Sequence, residues 1–377
     1  VTVPCPECGK PTRRVLEVLD SWIEAGSAAF AERHFPFDPS EGSGQVKLED
    51  FFPPDFIVEY TGQIRAWFYV LHVIATALFD SHAFKNVLVT GVILGTDGRK
   101  MSKNYGNYPD PKLMLTTYGG DALRLYLMGS PVMHGEDIRI SELEYRNQVK
   151  GILLLLWNVY NFFVTYAAID GWSPEKGSLA PTHVMDRWIL SRMNGNINNM
   201  TEKGYEKYDT PEVVGQAWIF MRDLSQWYVR RIRDRVGPSA PDGKDKDAAY
   251  ETLWTVLTEY CKALAPLIPF VTEEIYRNLT GEASVHLADW PDVQSVFHDL
   301  QLEKSMEDGQ KVASAAHALR KLGKVKARIP LKKLSYAGPR KLTEEVKQAV
   351  LAEINAYQLE FTDKEKHTEF IVSGDVD

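Results

Sequence analysis

Apolar positions follow two rhythms along the chain. Between residues 51 and 145 they come in short blocks. Residues 55–60 (Asp-Phe-Ile-Val-Glu-Tyr) and 86–94 are apolar runs of strand length. Between them, 64–79 is almost wholly apolar and long enough for a helix, a pattern that predicts burial. Strand, helix and strand in that order make a βαβ unit of a parallel sheet. From about Arg146 helical periods take over, at 149–163, 185–200, 211–236, 248–264 and 270–279. Loops rich in Gly, Pro, Ser and Asp separate them, which predicts a bundle of roughly five helices. Beyond Trp290-Pro291, 300–322 reads as a helix stopped by Gly323. Residues 324–331 then read as a strand, 342–354 as a helix, and 356–362 and 368–372 as strands. The expected fold is α/β followed by mainly α, in four segments: 1–50, 51–145, a helical 146–299, and a small α/β tail at 300–377.

Candidate chemistry lies where a parallel sheet puts it. Polar groups just past the carboxyl ends of such strands face the ligand crevice. Glu59 and Gln63 stand there, as do Thr90 and Gly91. Glu59 has a second reading, as a partner for a helix dipole. After Leu94, Thr96-Asp97-Gly98 is turn chemistry that closes a hairpin or tight loop. It leads into Lys100-Met101-Ser102-Lys103-Asn104, two cations three residues apart. Such ammoniums repel each other unless an anion lies between them, and lysine is a point charge on a flexible stem. Gly95, Gly98 and Gly106 predict a loop that moves. A bare Lys-x-x-Lys is more often a solvated turn. Near the start, Cys5-Pro6-Glu7-Cys8-Gly9 is a knuckle that offers two corners of a tetrahedral zinc site. Cys261 stands alone, so zinc would need ligands from outside this chain; the other reading is a reduced, empty knuckle. Ser40 to Gly44 reads as a flexible loop.

The whole string Lys100-Met101-Ser102-Lys103-Asn104 resembles the K-M-S-K-S loop of class I aminoacyl-tRNA synthetases, with Asn104 in place of the last Ser. Glu59-Tyr60-Thr61-Gly62-Gln63-Ile64-Arg65-Ala66-Trp67-Phe68 resembles the E-G-x-D-Q-x-R-G-W-F motif of the isoleucine-specific members. It departs from that motif at Gly62 and Ala66. The stretch from Val15 to Ser27 keeps Asp20, Trp22 and Gly26 of the family's D-V-W-F-D-S-G return into the catalytic core. Tyr118-Gly119-Gly120-Asp121-Ala122-Leu123-Arg124 resembles the segment after the loop; Asp121 and Arg124 read as structural. Met185 to Arg192, Leu224 to Arg231 and Leu264 to Phe270 resemble the family's helical anticodon-binding domain.

The resemblance implies the second half of a Rossmann-like parallel sheet joined to a helical anticodon-binding domain. It implies ATP-dependent activation of isoleucine with Mg²⁺, and transfer to tRNA(Ile). Lys103 would stabilise the leaving pyrophosphate, Lys100 would support the loop and Ser102 would donate a hydrogen bond. Glu59 and Gln63 would hold the aminoacyl end, Gly91 and Val92 would present backbone to adenine, and Met101 would complete the nucleotide side. Arg222, Arg230, Arg231, Arg233 and Arg235 would either contact tRNA phosphates or form a solvated face paired with Asp223 and Asp234. Trp218, Trp227 and Tyr228 read as core. A valyl or leucyl enzyme, or a non-catalytic tRNA-binding module, is the alternative. No His-x-Gly-His string and no editing insertion occurs in these residues.

Composition narrows the picture further. A chain of 377 residues with net charge −8 has no bulk basic field, so any RNA contact must come from local patches. Three cysteines make no disulfide framework. No apolar run reaches the ~18 residues of a membrane span; 151–168 comes nearest and is interrupted by Asn158 and Asn161. No signal peptide is expected from these residues, and the first residue is Val. The expectation is a cytoplasmic monomer without membrane attachment, and a piece of a longer chain.

Overall fold

The computed structural model describes residues 2–13, 15–18, 20–36, 47–174, 181–292, 297–362 and 369–374. The loop expected at Ser40 to Gly44 lies outside them. The chain forms two compact units: residues 1–108 with 131–140, and 109–130 with 141–377.

The first unit opens with β1 (Thr2–Pro4) and β2 (Pro11–Arg13), an antiparallel pair around the cysteine knuckle. The helix Ser21–Gly26 is capped by Asp20, whose carboxylate accepts from Trp22 N–H at 3.0 Å. A Cβ on Gly26 would come within 2.7 Å of Ile74 and Val70. Glycine therefore lets this helix lie against the helix Trp67–Phe79, and the Trp67 indole N–H donates to Ala25 O at 3.0 Å across the contact. β3 (Phe56–Tyr60) and β4 (Asn86–Thr90) pair in parallel, with Trp67–Phe79 as the crossover.

Three details differ from expectation. The helix begins at Trp67 because Thr61–Arg65 forms a 3₁₀ turn. It is also only half buried: Phe68, Leu71 and Ala75 are covered, whereas Tyr69, Val73 and Leu78 are exposed. Its apolar residues run all round the cylinder, and a two-stranded sheet covers one side. The expected strand 86–94 is split as well. β4 ends at Thr90, and β5 (Ile93–Leu94) pairs in parallel with β6 (Ile138–Arg139) in a separate sheet. The break sits at Gly91, where a Cβ would fall 1.9 Å from Glu136 O.

In the second unit, the helix Gly120–Met128 places Asp121 so that its carboxylate accepts from Val271 N–H at 2.8 Å and Phe270 N–H at 3.3 Å. This caps the helix Pro269–Thr280, while Arg124 donates to Pro266 O and Leu267 O. The helix Glu142–Asp170 is long and apolar enough by length and composition to cross a membrane. Asn158 and Asn161 do not interrupt it, because both lie on its exposed face. Ile152, Leu156, Val159, Tyr160 and Phe163 form its buried stripe. Val184–Asn199, Thr210–Arg222 and Lys244–Leu264 complete the expected bundle. Trp227 and Tyr228 are buried, and Trp218 packs over Gly151.

The core runs on through Leu302, Met306 and Val312 of the helix Leu300–Leu322 into the tail. There β7 (Leu334–Ala337) pairs in parallel with β8 (Leu359–Phe361) and antiparallel with β9 (Ile371–Gly374), flanked by the helix Glu344–Ile354. The expected strand at 324–331 is instead a coiled turn with Lys324 at φ 54°. The buried Arg320 guanidinium gathers the carbonyls of Lys326, Ile329, Ile354 and Asn355, which curls the chain around it. The central strand is β7.

Candidate functional site

The Lys100–Asn104 loop follows directly on β5. Gly98 N–H donates to Gly95 O at 2.9 Å, with Gly98 at φ 79°, and Leu94 bridges antiparallel to Lys100. This is the expected tight hairpin. The loop is then held from inside by Asn107, which is buried. Asn107 Oδ1 accepts from Ser102 N–H at 3.0 Å. Its Nδ2 donates to Asp97 Oδ1 at 2.9 Å and to Lys100 O at 3.3 Å. Its backbone carbonyl accepts from Thr96 N–H at 2.8 Å. The loop base is therefore fixed more firmly than its glycines suggest, and the exposed tip, 103–106, is the freer part.

Lys100 and Lys103 are exposed, and neither has an ion-pair partner among the described residues. The neighbouring cation is differently placed. Arg99 is bound to Asp97 at 2.7 Å and lies over the Tyr105 ring at 4.6 Å. The Arg99 backbone N–H, followed by the Asn107 amide and the Arg99 side chain, holds the Asp97 carboxyl down at about 2. Ser102 Oγ accepts from Asn104 N–H at 3.3 Å, and Met101 is half-buried.

Glu59 is the penultimate residue of β3, and its carboxylate accepts from Tyr60 N–H at 3.1 Å. The helix cap is Gln63: its Oε1 accepts from Trp67 N–H at 3.1 Å. Gly62 has a local reason. The Tyr60 ring lies where a Cβ would stand, 2.4–2.6 Å away, so an aspartate there would require Tyr60 to swing out. At Gly91 and Val92 the structure narrows what backbone can be offered to adenine, because their N–H groups are already engaged. Gly91 N–H donates to Val132 O at 2.8 Å and Val92 N–H to Asp137 Oδ1 at 2.8 Å, so both donors are spent inside the protein.

The arginine group also departs from expectation, for a reason of pairing. Arg235 forks onto Asp186 at 2.8 and 2.7 Å and onto Asp245 at 2.9 and 2.8 Å, with only 10% of its side chain exposed. Tyr228 donates a third hydrogen bond to the fully buried Asp186, at 2.9 Å. Arg231 and Arg230 both pair with Glu353 of the tail, at 2.8 and 3.2 Å. Arg231 and Arg235 are thus structural cations, tied to carboxylates that periodicity did not pair with them. Arg222 and Arg233 are exposed. Sequence reading underweighted a different basic surface: Lys324, Lys326, Arg328 and Lys332 are all exposed on the turn that Arg320 organises, with no ion-pair partner among the described residues. The signal was the density of cations at 321–333.

At the knuckle, Cys5 N–H donates to Lys10 O and Gly9 N–H to Cys5 O, both at 2.8 Å. The backbone N–H groups of Cys8 and Glu7 hold the Cys5 thiol below its ordinary pKa, which suits a thiolate ligand. Two thiolates make half of a zinc site. Among the described residues, no three His, Cys, Asp or Glu side chains are grouped for a metal. Cys261 is buried in the helical core, where desolvation pushes its thiol pKa up.

Comparison with known proteins follows the same division. Residues 8–141 match the family of class I tRNA synthetases (I, L, M and V), and 186–335 match the anticodon-binding domain of tRNA ligases. The chain is 38% identical to the isoleucine–tRNA ligase of Treponema denticola, over 97% of this chain and 34% of that protein. It is 41% identical to the isoleucine–tRNA ligase of Chlamydia trachomatis serovar D, over 90% of this chain and 32% of that protein. It therefore spans about a third of the length of these relatives. In fold it is similar to the LeuRS of Agrobacterium radiobacter K84, solved as a ternary complex with tRNA and LeuAMS (TM-score 0.59, 18% identity, 79% of this chain and 36% of that one). It is also similar to the methionyl-tRNA synthetase of Mycobacterium tuberculosis in complex with methionyl-adenylate (TM-score 0.53, 19% identity, 67% and 48%).

Proposed function

Because the chain belongs to the class I tRNA synthetases, we propose that it is part of an isoleucine–tRNA ligase and supplies one side of the ATP site together with a tRNA-binding surface. The observation that carries this reading is the loop after β5. Its two ammoniums, Lys100 and Lys103, have no ion-pair partner among the described residues, in a chain whose relatives over nine-tenths of its length are isoleucine–tRNA ligases.

In the reaction, an isoleucine carboxylate oxygen attacks the α-phosphorus of ATP, the bond to the β-phosphate bridging oxygen breaks, and pyrophosphate leaves. The adenylate then passes its aminoacyl group to a terminal ribose hydroxyl of tRNA(Ile), forming an ester, with AMP leaving and the hydroxyl proton lost. No covalent enzyme intermediate is needed; catalysis is positioning and charge stabilisation. Lys103 meets the negative charge growing on pyrophosphate, Lys100 shares it, and the Ser102 hydroxyl donates to a phosphate oxygen. Met101 packs on the nucleotide side. Glu59 and the Gln63 amide nitrogen hold the aminoacyl end, while Gly91 and Val92 contribute shape rather than donors. Magnesium travels on the ATP phosphates, as this hard cation commonly does; no carboxylate cage for it occurs among the described residues. Arg222, Arg233, Lys324, Lys326, Arg328 and Lys332 are among the exposed cations available to tRNA phosphates.

Isoleucine-dependent ATP–pyrophosphate exchange by the full-length enzyme tests the first part, with valine and leucine as competing substrates. Preference for either competitor would overturn the assignment. The 377-residue chain alone should give no exchange, because proximity contributes its ~7–11 kcal/mol only when both reactants are held. The same chain should bind tRNA with an affinity that falls as salt rises, with a slope of roughly 0.7–0.9 per phosphate contact. Changing Lys324, Lys326, Arg328 and Lys332 to Gln together should flatten that slope; an unchanged slope would remove this surface from the reading.

A further inference from the structure

The two lysines act only if the chain between them is presented in one register, and the side chain nearest to that chain is neither of them. Asn107 is 6% exposed and spends its whole amide on the loop. Its oxygen takes the Ser102 N–H, while its nitrogen serves both the Lys100 carbonyl and Asp97. Lys100 and Ser102 flank Met101, so a single planar group grips the backbone on both sides of that residue. Ser102 in turn turns the tip: its carbonyl accepts from Tyr105 and Gly106 N–H at 3.1 Å each. The cation Lys103 hangs between that turn and the grip. Asp97 orients the amide from the other side, because an ionised carboxylate only accepts and so makes Asn107 Nδ2 point toward it. Asp97 also draws Arg99 onto itself and away from the two lysines. Gly95 makes room for the arrangement, since a Cβ there would lie 2.4 Å from Asn107 Nδ2.

We propose that Asn107, oriented by Asp97, is a positioning residue for phosphate capture: it clasps the Lys100–Lys103 loop in the register that brings both ammoniums to the leaving pyrophosphate. The inference rests on the proposed adenylation reaction and adds to it two residues that themselves touch no substrate. Asn107 is buried and Asp97 is saturated by its neighbours, so both act through the backbone of the loop.

The chemistry of the pair provides a reversal test. Asn107→Asp keeps an acceptor for Ser102 N–H but sets a second carboxylate against Asp97, which breaks the clasp. Asp97→Asn alone keeps an acceptor for Asn107 and for Arg99 N–H, and should be mild. The double variant Asn107→Asp with Asp97→Asn removes the carboxylate–carboxylate repulsion and restores a donor–acceptor pair in the opposite sense, but leaves Lys100 O and Arg99 N–H without their partners, so it should recover part of the loss. Two readouts are required. In the 377-residue chain, hydrogen exchange at the Ser102, Tyr105 and Gly106 amides should speed at least tenfold in Asn107→Asp and return toward wild type in the double variant. In the full-length enzyme, single-turnover adenylate formation should slow by about 10²-fold, the scale of a misplacement near 1 Å, with KM for isoleucine unchanged and the double variant again partly rescued. Unchanged amide exchange in Asn107→Asp would overturn the clasp. Faster exchange with activation within twofold of wild type would overturn its positioning role, as would failure of the double variant to recover. A wild-type enzyme that makes no adenylate would overturn the functional reading beneath it, and the exchange arm separates that outcome from failure of the clasp.

Discussion

The loop at Lys100–Asn104 and the helices around Asp186 both concentrate charge, and they use it in opposite ways. At the loop, two cations stand three residues apart in solvent without carboxylate partners among the described residues, and only the backbone beneath them is fixed. Around Asp186, one cation is driven inward and tied to two carboxylates and, through Asp186, to a tyrosine. By local density of basic residues the second region is the richer. By availability to an external phosphate it is the poorer, because hydrogen bonds already spent cannot be offered to a ligand. The cores beneath them differ in the same sense. The loop's unit is built on a small apolar cluster around Phe52, Phe68 and Leu71, whereas the helical unit has an apolar core continuous into the tail.

The largest expected effect breaks the buried network. Arg235→Ala strands the fully buried Asp186 carboxylate, which should cost about 3–5 kcal/mol, read as a shift of the urea midpoint of the helical unit. Arg222→Ala, at an exposed position, should stay within about 0.5 kcal/mol. Equal losses would erase the distinction between the paired and the open arginines. Next comes the loop, where the effect should fall on rate and not on stability. In the full-length enzyme, Lys103→Ala should slow adenylate formation about 10²-fold, near 2.7 kcal/mol of transition-state energy, with isoleucine binding unchanged. An activation rate within threefold of wild type would remove Lys103 from its role.

The smallest effect sharpens the comparison through pH. His183 caps the helix Val184–Asn199 by accepting from Met185 N–H at 3.2 Å through Nδ1, which requires a neutral ring. Burial first, and then the nearby Arg235 charge, hold its pKa below the ordinary value of 6.5, with Asp186, Asp245 and Glu345 opposing. A base whose folded pKa is depressed binds fewer protons folded than unfolded. Its contribution is complete above the unfolded value and is lost as pH falls toward the folded one. The helical unit should therefore lose up to about 1 kcal/mol, the scale of one cap, between pH 7 and 5. His183→Asn, which caps without titrating, should flatten that dependence in denaturant titrations; an unchanged pH slope would place its cause elsewhere.

Much of the architecture was legible in apolar spacing. Each bundle helix falls where its period lies, because a stripe at intervals of three and four residues can be buried in only one way. The turn at Thr96-Asp97-Gly98, the stop at Gly323 and the two-lysine loop were legible for the same kind of reason, since local backbone chemistry specifies them. The errors lie where a partner outside the element itself decides. Residues 324–331 look like a strand, but the guanidinium of Arg320 takes their carbonyls. Residues 86–94 look like one strand, but Glu136 approaches Gly91 and splits it. Arg231 and Arg235 look like a basic face until Glu353, Asp186 and Asp245 arrive from other helices. Periodicity reports which side of an element avoids water, so the sequence by itself determined the helices, the parallel strands and the presence of the cationic loop. It carries no record of which polar group meets which across the fold. The choice of Asp186 as the partner of Arg235, of Glu353 as the partner of Arg231, and of which cations remain free was made only when the chain closed on itself, because a hydrogen bond is a short-range, directional contact that exists only between groups the fold has brought together.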